Sequence, residues 1–337
     1  MKTTSKLFLF VTVISVGIVS CKKDNITKAP VSPVYPIPVT NDAAMKAFFS
    51  SYNIAPQNYN VNASTGGSFT SSQGTTVTIP ANIFLTQANV PVTGDVTIQF
   101  IDVYKKSDIF LASMLTQSSN GAPLKSGGEF FIKAIQNNEA LILAPGKKID
   151  VQQPASLTSG ITTASAPQAF TWKDSLIYPT NCTICPDYII NDPLWSLINV
   201  DNVQTTTQNY IFSLNQFNSP VDAGSWCISG DAVFFNSYPK TTLNIIAQDS
   251  VSTYSTQVFL VFKNQTSVVQ VGPTGYENYQ YSYAPQDLQC TIVALGFKNG
   301  NIYSSFTPIT IGRTQTVSFT LSQTTTSAFV AQLKTLD

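Results

Sequence analysis

Val293-Ala-Leu-Gly-Phe-Lys-Asn-Gly-Asn-Ile-Tyr-Ser-Ser-Phe306 decides the fold class. Apolar side chains stand at every second residue, Val293, Leu295 and Phe297, up to Asn299-Gly300, and the alternation resumes through Ile302, Ser304 and Phe306. Period two is the repeat of a β-strand, and Asn-Gly accepts the two positive φ angles of a type I′ turn, so the stretch predicts an antiparallel hairpin. The same alternation marks Val77 and Ile79, Val96 and Ile98, Phe131 and Lys133, Leu141 and Leu143, the run Leu243, Ile245 and Ala247, and Val317, Phe319 and Leu321. Helical spacing is seen near two ends. Asp42 to Tyr52 reads as a short helix capped by Asp42, with Ala44, Ala47, Phe48 and Tyr52 on one flank. Thr326 to Leu336 brings Phe329, Leu333 and Leu336 together, a helix suited to covering a sheet edge or end. The expected class is all-β, with two or three tandem antiparallel β-sandwich modules, a short N-terminal helix and a short C-terminal helix.

A chain of 337 residues has room for that number of sandwiches at about 100 residues each. The Ser/Thr/Gly-rich stretch Ser156 to Ala166 places one boundary near 158, and Tyr238-Pro239 ahead of a fresh alternating strand places another near 240. The expected segments are therefore 1–20, 21–40, 41–158, 159–240 and 241–337.

The N-terminus carries an address. Lys2 and Lys6 precede an apolar run from Leu7 to Val19, which is too short for a membrane-spanning helix and has the build of a secretory signal. Ile18-Val19-Ser20-Cys21 resembles the lipobox of bacterial lipoproteins. That resemblance implies cleavage before Cys21 and acylation of its thiol, with palmitate among the chains, and two or more chains hold a protein stably on a bilayer. Lys22-Lys23-Asp24 resembles the short charged signals that send lipoproteins of the Bacteroidota to the outer face of the outer membrane. Pro30, Pro33, Pro36 and Pro38 among small polar residues then read as an extended tether.

Composition excludes much chemistry. The chain has 18 basic and 18 acidic residues and no histidine. Without imidazole there is no Ser-His-Asp or Cys-His relay and no His-ligated zinc. Neutral charge with Arg313 as the single arginine argues against a nucleic-acid footprint. The reading assigns no catalytic residue, no cofactor and no metal ligand. The expected contacts are the membrane through the lipid anchor only, and an unknown envelope protein or glycan.

Four motifs need weighing. Cys182-Thr-Ile-Cys185 lacks both a thioredoxin-like context and a second close pair for zinc, so Cys182 and Cys185 are the disulfide candidates, with Cys227 and Cys290 either paired or buried and reduced. Tyr279, Tyr281 and Tyr283 are candidate glycan contacts, with Trp172, Trp195 and Trp226 as further aromatics, although spacing two equally describes one buried strand face. Gly127-Gly128-Glu129-Phe130 spells the signature tetrapeptide of diguanylate cyclases, but it leads into a strand of an exported chain, so Glu129 reads as a strand-edge or turn carboxylate. Asp174-Ser175-Leu176 and Asp249-Ser250-Val251 resemble three-residue O-glycosylation sites of Bacteroidota, making Ser175 and Ser250 candidate acceptors.

A wider resemblance rests on Gly74-Thr-Thr-Val-Thr-Ile-Pro-Ala-Asn-Ile-Phe84, Pro91-Val-Thr-Gly94, Ser126 to Ala134 and Ala144-Pro-Gly-Lys147. These stretches resemble ZU5-like β-sandwich modules as they occur in uncharacterised Bacteroidota outer-membrane lipoproteins. Residues 242–322 resemble a transthyretin-like or carboxypeptidase-regulatory-like sandwich. The resemblance implies binding or scaffolding and transfers no catalytic residue. Independently of it, Pro80 lacks an N–H for a ladder and should end the strand carrying Val77 and Ile79.

Overall fold

The alternating runs form strands throughout. The structure, a computed structural model, describes residues 39–118, 121–158, 161, 168–173, 194–197, 203–205, 209–214, 224–231, 233–248, 255–275 and 277–337. In chain order the first part holds helix α1 (Val39–Ser50), strands β1 (Gln57–Asn62), β2 (Gly67–Thr70), β3 (Thr76–Ile79), β4 (Phe84–Leu85) and β5 (Asp95–Val103), helix α2 (Lys106–Leu111), then β6 (Lys125–Gln136), β7 (Glu139–Ala140), β8 (Ile142–Leu143), β9 (Ile149–Pro154), β10 (Gln168–Lys173), β11 (Leu194–Leu197), β12 (Val203–Thr205), β13 (Asn209–Leu214) and β14 (Gly224–Asp231). The second part holds β15 (Lys240–Ala247), β16 (Thr256–Phe262), β17 (Val268–Gly275), β18 (Asn278–Pro285), β19 (Gln289–Lys298), β20 (Asn301–Thr310), β21 (Gln315–Phe319), β22 (Ser322–Gln323) and helix α3 (Thr326–Lys334). The all-β class with short helices is the observed one.

Two sheets face each other in the first sandwich, β1-β5-β6-β14-β10-β11 with β7 beside β6, and β12-β13-β9-β3-β2. Val96, Ile98 and Phe100 of β5 and Phe130, Ile132 and Ala134 of β6 meet Val77, Ile79, Ile149, Val151 and Leu214 from the other sheet. Strand β3 ends at Ile79, as Pro80 requires. The described strands of residues 159–240 do not build a module of their own. β13 pairs with β9 and β14 with β6, so this span completes both sheets of the first sandwich. A boundary drawn from loop composition missed this because hydrogen-bond partners lie far away in sequence. The boundary near 240 does coincide with the start of β15.

The second sandwich is one folded-over sheet in the order β21-β15-β18-β17-β16-β19-β20-β22. Its hairpin β19–β20 has the register Lys298↔Asn301, with Asn299 at φ 52° and Gly300 at φ 76°, the conformation that the Asn-Gly pair implied. The chain closes the fold at both edges in quick succession. β21 runs parallel to β15, and after Leu321 the chain continues as β22 against β20.

A third apolar core lies between the sandwiches. Ile101 and Val103 on the outer face of β5, and Phe131 and Trp226 on β6 and β14, pack with Phe259 and Val261 of β16, Val268 of β17 and Val293, Leu295 and Phe297 of β19. The three helices supply the filling. Phe110 of α2 lies 4.4 Å from Phe259 by ring centroids, and Phe329 of α3 lies 5.8 Å from both Phe48 and Phe110. Fully burying one such ring contributes about 1.5–3 kcal/mol, so this joint is a substantial part of the fold. The helix α3 therefore caps a sheet face and not an edge, with Phe329 and Leu333 buried and Leu336 packed alongside. At the other end, α1 starts at Val39 and runs past the expected cap Asp42. Its buried side chains are Met45 and Phe48, with Ala44, Phe49 and Tyr52 partly covered, while Ala47 is exposed. Met45, three residues before Phe48, joins the buried flank of α1 that the helical spacing implies.

Backbone pairing seals the rim of the joint. The Thr116 N–H donates to the Val268 carbonyl at 2.8 Å, the Val268 N–H donates to Thr116 Oγ1 at 2.7 Å, and the Ser126 N–H donates to the Thr266 carbonyl at 2.8 Å.

Candidate functional site

The Gly127-Gly128-Glu129 stretch is where the two sandwiches meet. Across β6 the register with β14 jumps between Glu129↔Ile228 and Ser126↔Gly230, so Gly127 and Gly128 form a bulge. Gly128 has φ 112°, and a Cβ there would lie 2.4 Å from the Tyr104 ring. Glycine is therefore required on both conformational and steric grounds. Beyond the bulge, regular pairing puts Glu129 between Val103 on β5 and Ile228 on β14. Side chains at i and i+2 share a strand face, so Glu129 points to the same side as Phe131, into the joint.

Glu129 is 0% exposed, and neither carboxyl oxygen has a hydrogen-bond partner among the described residues. Burial alone raises its pKa well above the ordinary carboxyl range, which favours the protonated form. This corrects the expectation of a strand-edge or turn carboxylate. β6 is a central strand, and the bulge turns Glu129 inward where the tetrapeptide alone says nothing about its face.

On the other side of β5 a second carboxyl is buried, one that the sequence reading did not single out. Asp102 is 2% exposed, and its Oδ2 accepts from Ser71 Oγ and Thr75 Oγ1, both at 2.6 Å. Thr75 Oγ1 also shares a hydrogen bond of 2.6 Å with the Tyr104 hydroxyl, whose pKa is raised chiefly by burial. Ser229 Oγ donates to Gln153 Oε1 at 2.7 Å nearby. A signal for Asp102 was present, since the inward series Val96, Ile98, Phe100 reaches 102 at the next step of two. Hydroxyls donating to Asp102 tie the β2–β3 turn to β5, a structural task with no exposed reacting atom.

The tyrosine strand divides. Tyr279 and Tyr281 are 2% and 3% exposed, inside the second sandwich, so neither presents an open ring face to a sugar. Tyr283 is 40% exposed. The pairing of β15 with β18 shifts between Thr241↔Ala284 and Leu243↔Tyr281, which inserts one residue and flips the alternation. Spacing two therefore fails at Tyr283. The Tyr281 hydroxyl donates to the Gly121 carbonyl at 3.0 Å, anchoring the 114–126 connection, and burial holds its pKa well above the usual phenol range.

Cys227 and Cys290 are buried free thiols in separate cores. Burial pushes the thiol of Cys290 up to about 12 and that of Cys227 higher still. Cys21, Cys182, Cys185, Ser175 and Ser250 lie outside the described residues. Trp172 and Trp195 are register partners across β10 and β11, and Trp226 packs on Phe131 at 5.3 Å. Among the described residues no group of three His, Cys, Asp or Glu side chains is placed to hold a metal ion.

One open depression lies between the end of α1 and α3. It has a volume of about 680 Å³ and is lined by Tyr52, Thr325, Thr326, Ser327, Val330, Ala331 and Lys334. Thr325 Oγ1 is engaged there as the cap of α3, accepting from the Ala328 N–H at 3.2 Å. Comparison with models of known protein families finds no match, and comparison with curated proteins finds none.

Proposed function

We propose that the chain is a non-enzymatic lipoprotein of the outer membrane, held by acyl chains on Cys21 and facing the cell exterior, whose joined sandwiches serve protein contact or envelope scaffolding. The observation that carries this reading is the central core between the sandwiches, in which Phe48, Phe110 and Phe329 from the three helices pack with Phe259 of the second sandwich and Ile101 and Val103 of the first. Such a joint transmits force without bending, which suits a spacer or platform better than a pair of modules on a flexible hinge. The lipobox-like Ile18-Val19-Ser20-Cys21 and the proline-rich stretch to Pro38 supply the anchor and the reach. The likeness of the first sandwich to ZU5-like modules, and of residues 242–322 to a transthyretin-like fold, is of a piece with a binding role. Among the described residues no helix is long and apolar enough to cross a membrane, so attachment in this reading falls to the lipid.

The test is radiolabelled palmitate incorporation combined with protease treatment of intact cells. Label on the wild type, none on Cys21→Ser, and digestion without lysis are expected. Protection until lysis overturns the surface assignment, and unlabelled wild type overturns the anchor.

Glycan capture, the alternative, now rests on Tyr283, since Tyr279 and Tyr281 are core residues. A glycan array on which the wild type and Tyr283→Ala behave alike removes it.

A further inference from the structure

We infer that Glu129 is a proton-held lock in the joint between the two sandwiches: with its carboxyl neutral the joint is closed, and with the carboxyl ionised the joint loosens. The inference goes beyond the scaffold reading and does not depend on the lipid anchor. Its basis is placement. Three residues before Glu129, the Ser126 N–H bonds to the Thr266 carbonyl of the second sandwich, and two residues after it the Phe131 ring sits in the central core. The carboxyl between them is fully buried, and neither oxygen has a partner among the described residues.

A buried neutral acid without hydrogen bonds is already unfavourable, and an ionised one without a counter-charge is far more so. Water is the available remedy, and water reaches this position only if the strands or sandwiches part. Among the described residues no neighbouring charge relieves the ion. On β6 itself Lys125 lies before the bulge, where the Asp231 carboxylate of β14 acts on it, and Lys133 stands two turns of the alternation further on. Asp102 of β5 points into the opposite core, held by Ser71 and Thr75. β16 and β17 carry no ionisable side chain, and Lys106 of α2 donates to the Phe262 carbonyl. The remaining ionisable groups on the helices of the joint are Asp42 and Lys46 on α1, Asp108 on α2 and Lys334 on α3.

The chemistry predicts the direction. As pH rises, the open form, in which Glu129 is hydrated and ionised, gains on the closed form by up to about tenfold per pH unit. The joint segments are 126–131 on β6, β16 and the start of β17, whereas β3 and β18 sit in cores away from it.

Two measurements on the full mature chain test this. The chain has three glutamates, Glu129, Glu139 and Glu277, so carbon-13 labelling of glutamate side chains yields three carboxyl resonances, assignable with Glu139→Gln and Glu277→Gln. Glu129 is expected to keep the protonated shift to a pH well above the ordinary carboxyl range. Hydrogen exchange followed by mass spectrometry, corrected for intrinsic base catalysis, should show protection in the joint segments falling by up to about tenfold per pH unit. Glu129→Gln should abolish that fall. A Glu129 resonance that titrates in the ordinary carboxyl range, equal pH profiles in wild type and Glu129→Gln, or protection lost equally in β3 and β18 overturns the inference. Should Glu129→Gln fail to fold, the wild-type titration and the regional pattern decide.

Discussion

Asp337 and Ser107, separated by 230 positions, are joined by two hydrogen bonds: the Ser107 N–H and its Oγ donate to the two carboxylate oxygens of Asp337, each at 2.8 Å. Helix α2 has Lys105 at its N-cap with no side-chain cap of its own, so the acceptor arrives from the end of α3. A carboxylate at a helix N-terminus satisfies free N–H groups and matches the local positive field. Asp337→Ala should therefore destabilise the protein by about 1 kcal/mol. Asp337→Asn, which keeps one acceptor oxygen, should lose less. Urea midpoints of the two variants check the order, and equal midpoints would show that the contact contributes nothing.

Gly128 and Gly146 form a matched pair of tests. Both have positive φ, 112° and 74°, but a Cβ at Gly128 meets the Tyr104 ring at 2.4 Å and Gly146 has open space around it. Gly146→Ala should cost about 1 kcal/mol from backbone strain. Gly128→Ala adds an overlap within a packed strand and should cost about 3 kcal/mol or more. Denaturant unfolding of both reads the difference directly.

The tyrosines should separate by role. Tyr281→Phe removes the hydroxyl that bonds the Gly121 carbonyl, which keeps Gln117 Nε2 as a second donor at 3.1 Å, and is expected to cost about 0.5–1.5 kcal/mol, the net contribution of one hydrogen bond. Tyr283→Ala, at an exposed site, should stay within about 0.5 kcal/mol of wild type. Thermal or urea midpoints for the pair settle whether the flip in alternation at Tyr283 is real.

Native Cys227 and Cys290 should resist thiol reagents. Both are buried, in different cores, and the thiolate needed for reaction is suppressed by burial. Titration with a chromogenic disulfide should reveal these two thiols only after denaturation, as mapped by peptide mass spectrometry. Rapid labelling of either in the folded chain would contradict the packing.

Stability should depend on pH through Glu129. Its folded-state pKa is raised by burial, whereas in the unfolded chain it returns to about 4.3. Above that value the unfolded chain releases a proton that the native protein retains, so this residue's contribution falls as pH rises until the folded-state pKa is passed. Glu129→Gln has no proton to lose. It should be more stable than wild type at pH 7, with the advantage shrinking towards zero near pH 4 if the amide packs as the neutral acid does. Chemical denaturation at several pH values gives the slope, and a constant difference would refute the assignment.

Much of the secondary structure was legible because a strand repeats every two residues whatever it packs against. Val77 and Ile79, Val96 and Ile98, Leu243 and Ile245, and the Asn299-Gly300 turn all stand where that repeat places them. Legibility failed where one residue was inserted. The bulge at Gly127-Gly128 turned Glu129 into the joint, and the bulge near Tyr283 turned that ring out to solvent. A bulge is a relation between two strands, so neither strand reveals it alone. The segment 159–240 failed for a similar reason, since β13 and β14 are defined by their partners β9 and β6.

The sequence by itself determined the periodicity, the Asn-Gly turn and the excluded imidazole chemistry. Only the tertiary structure decided what each face meets. Val293, Leu295 and Phe297, apolar by any reading, face the joint, whereas Ile292 and Ala294, alternating with them, face their own sandwich core. Alternation records that a strand has two sides, but hydrophobic burial is non-directional, and the identity of the covering surface depends on contacts between residues far apart in the chain.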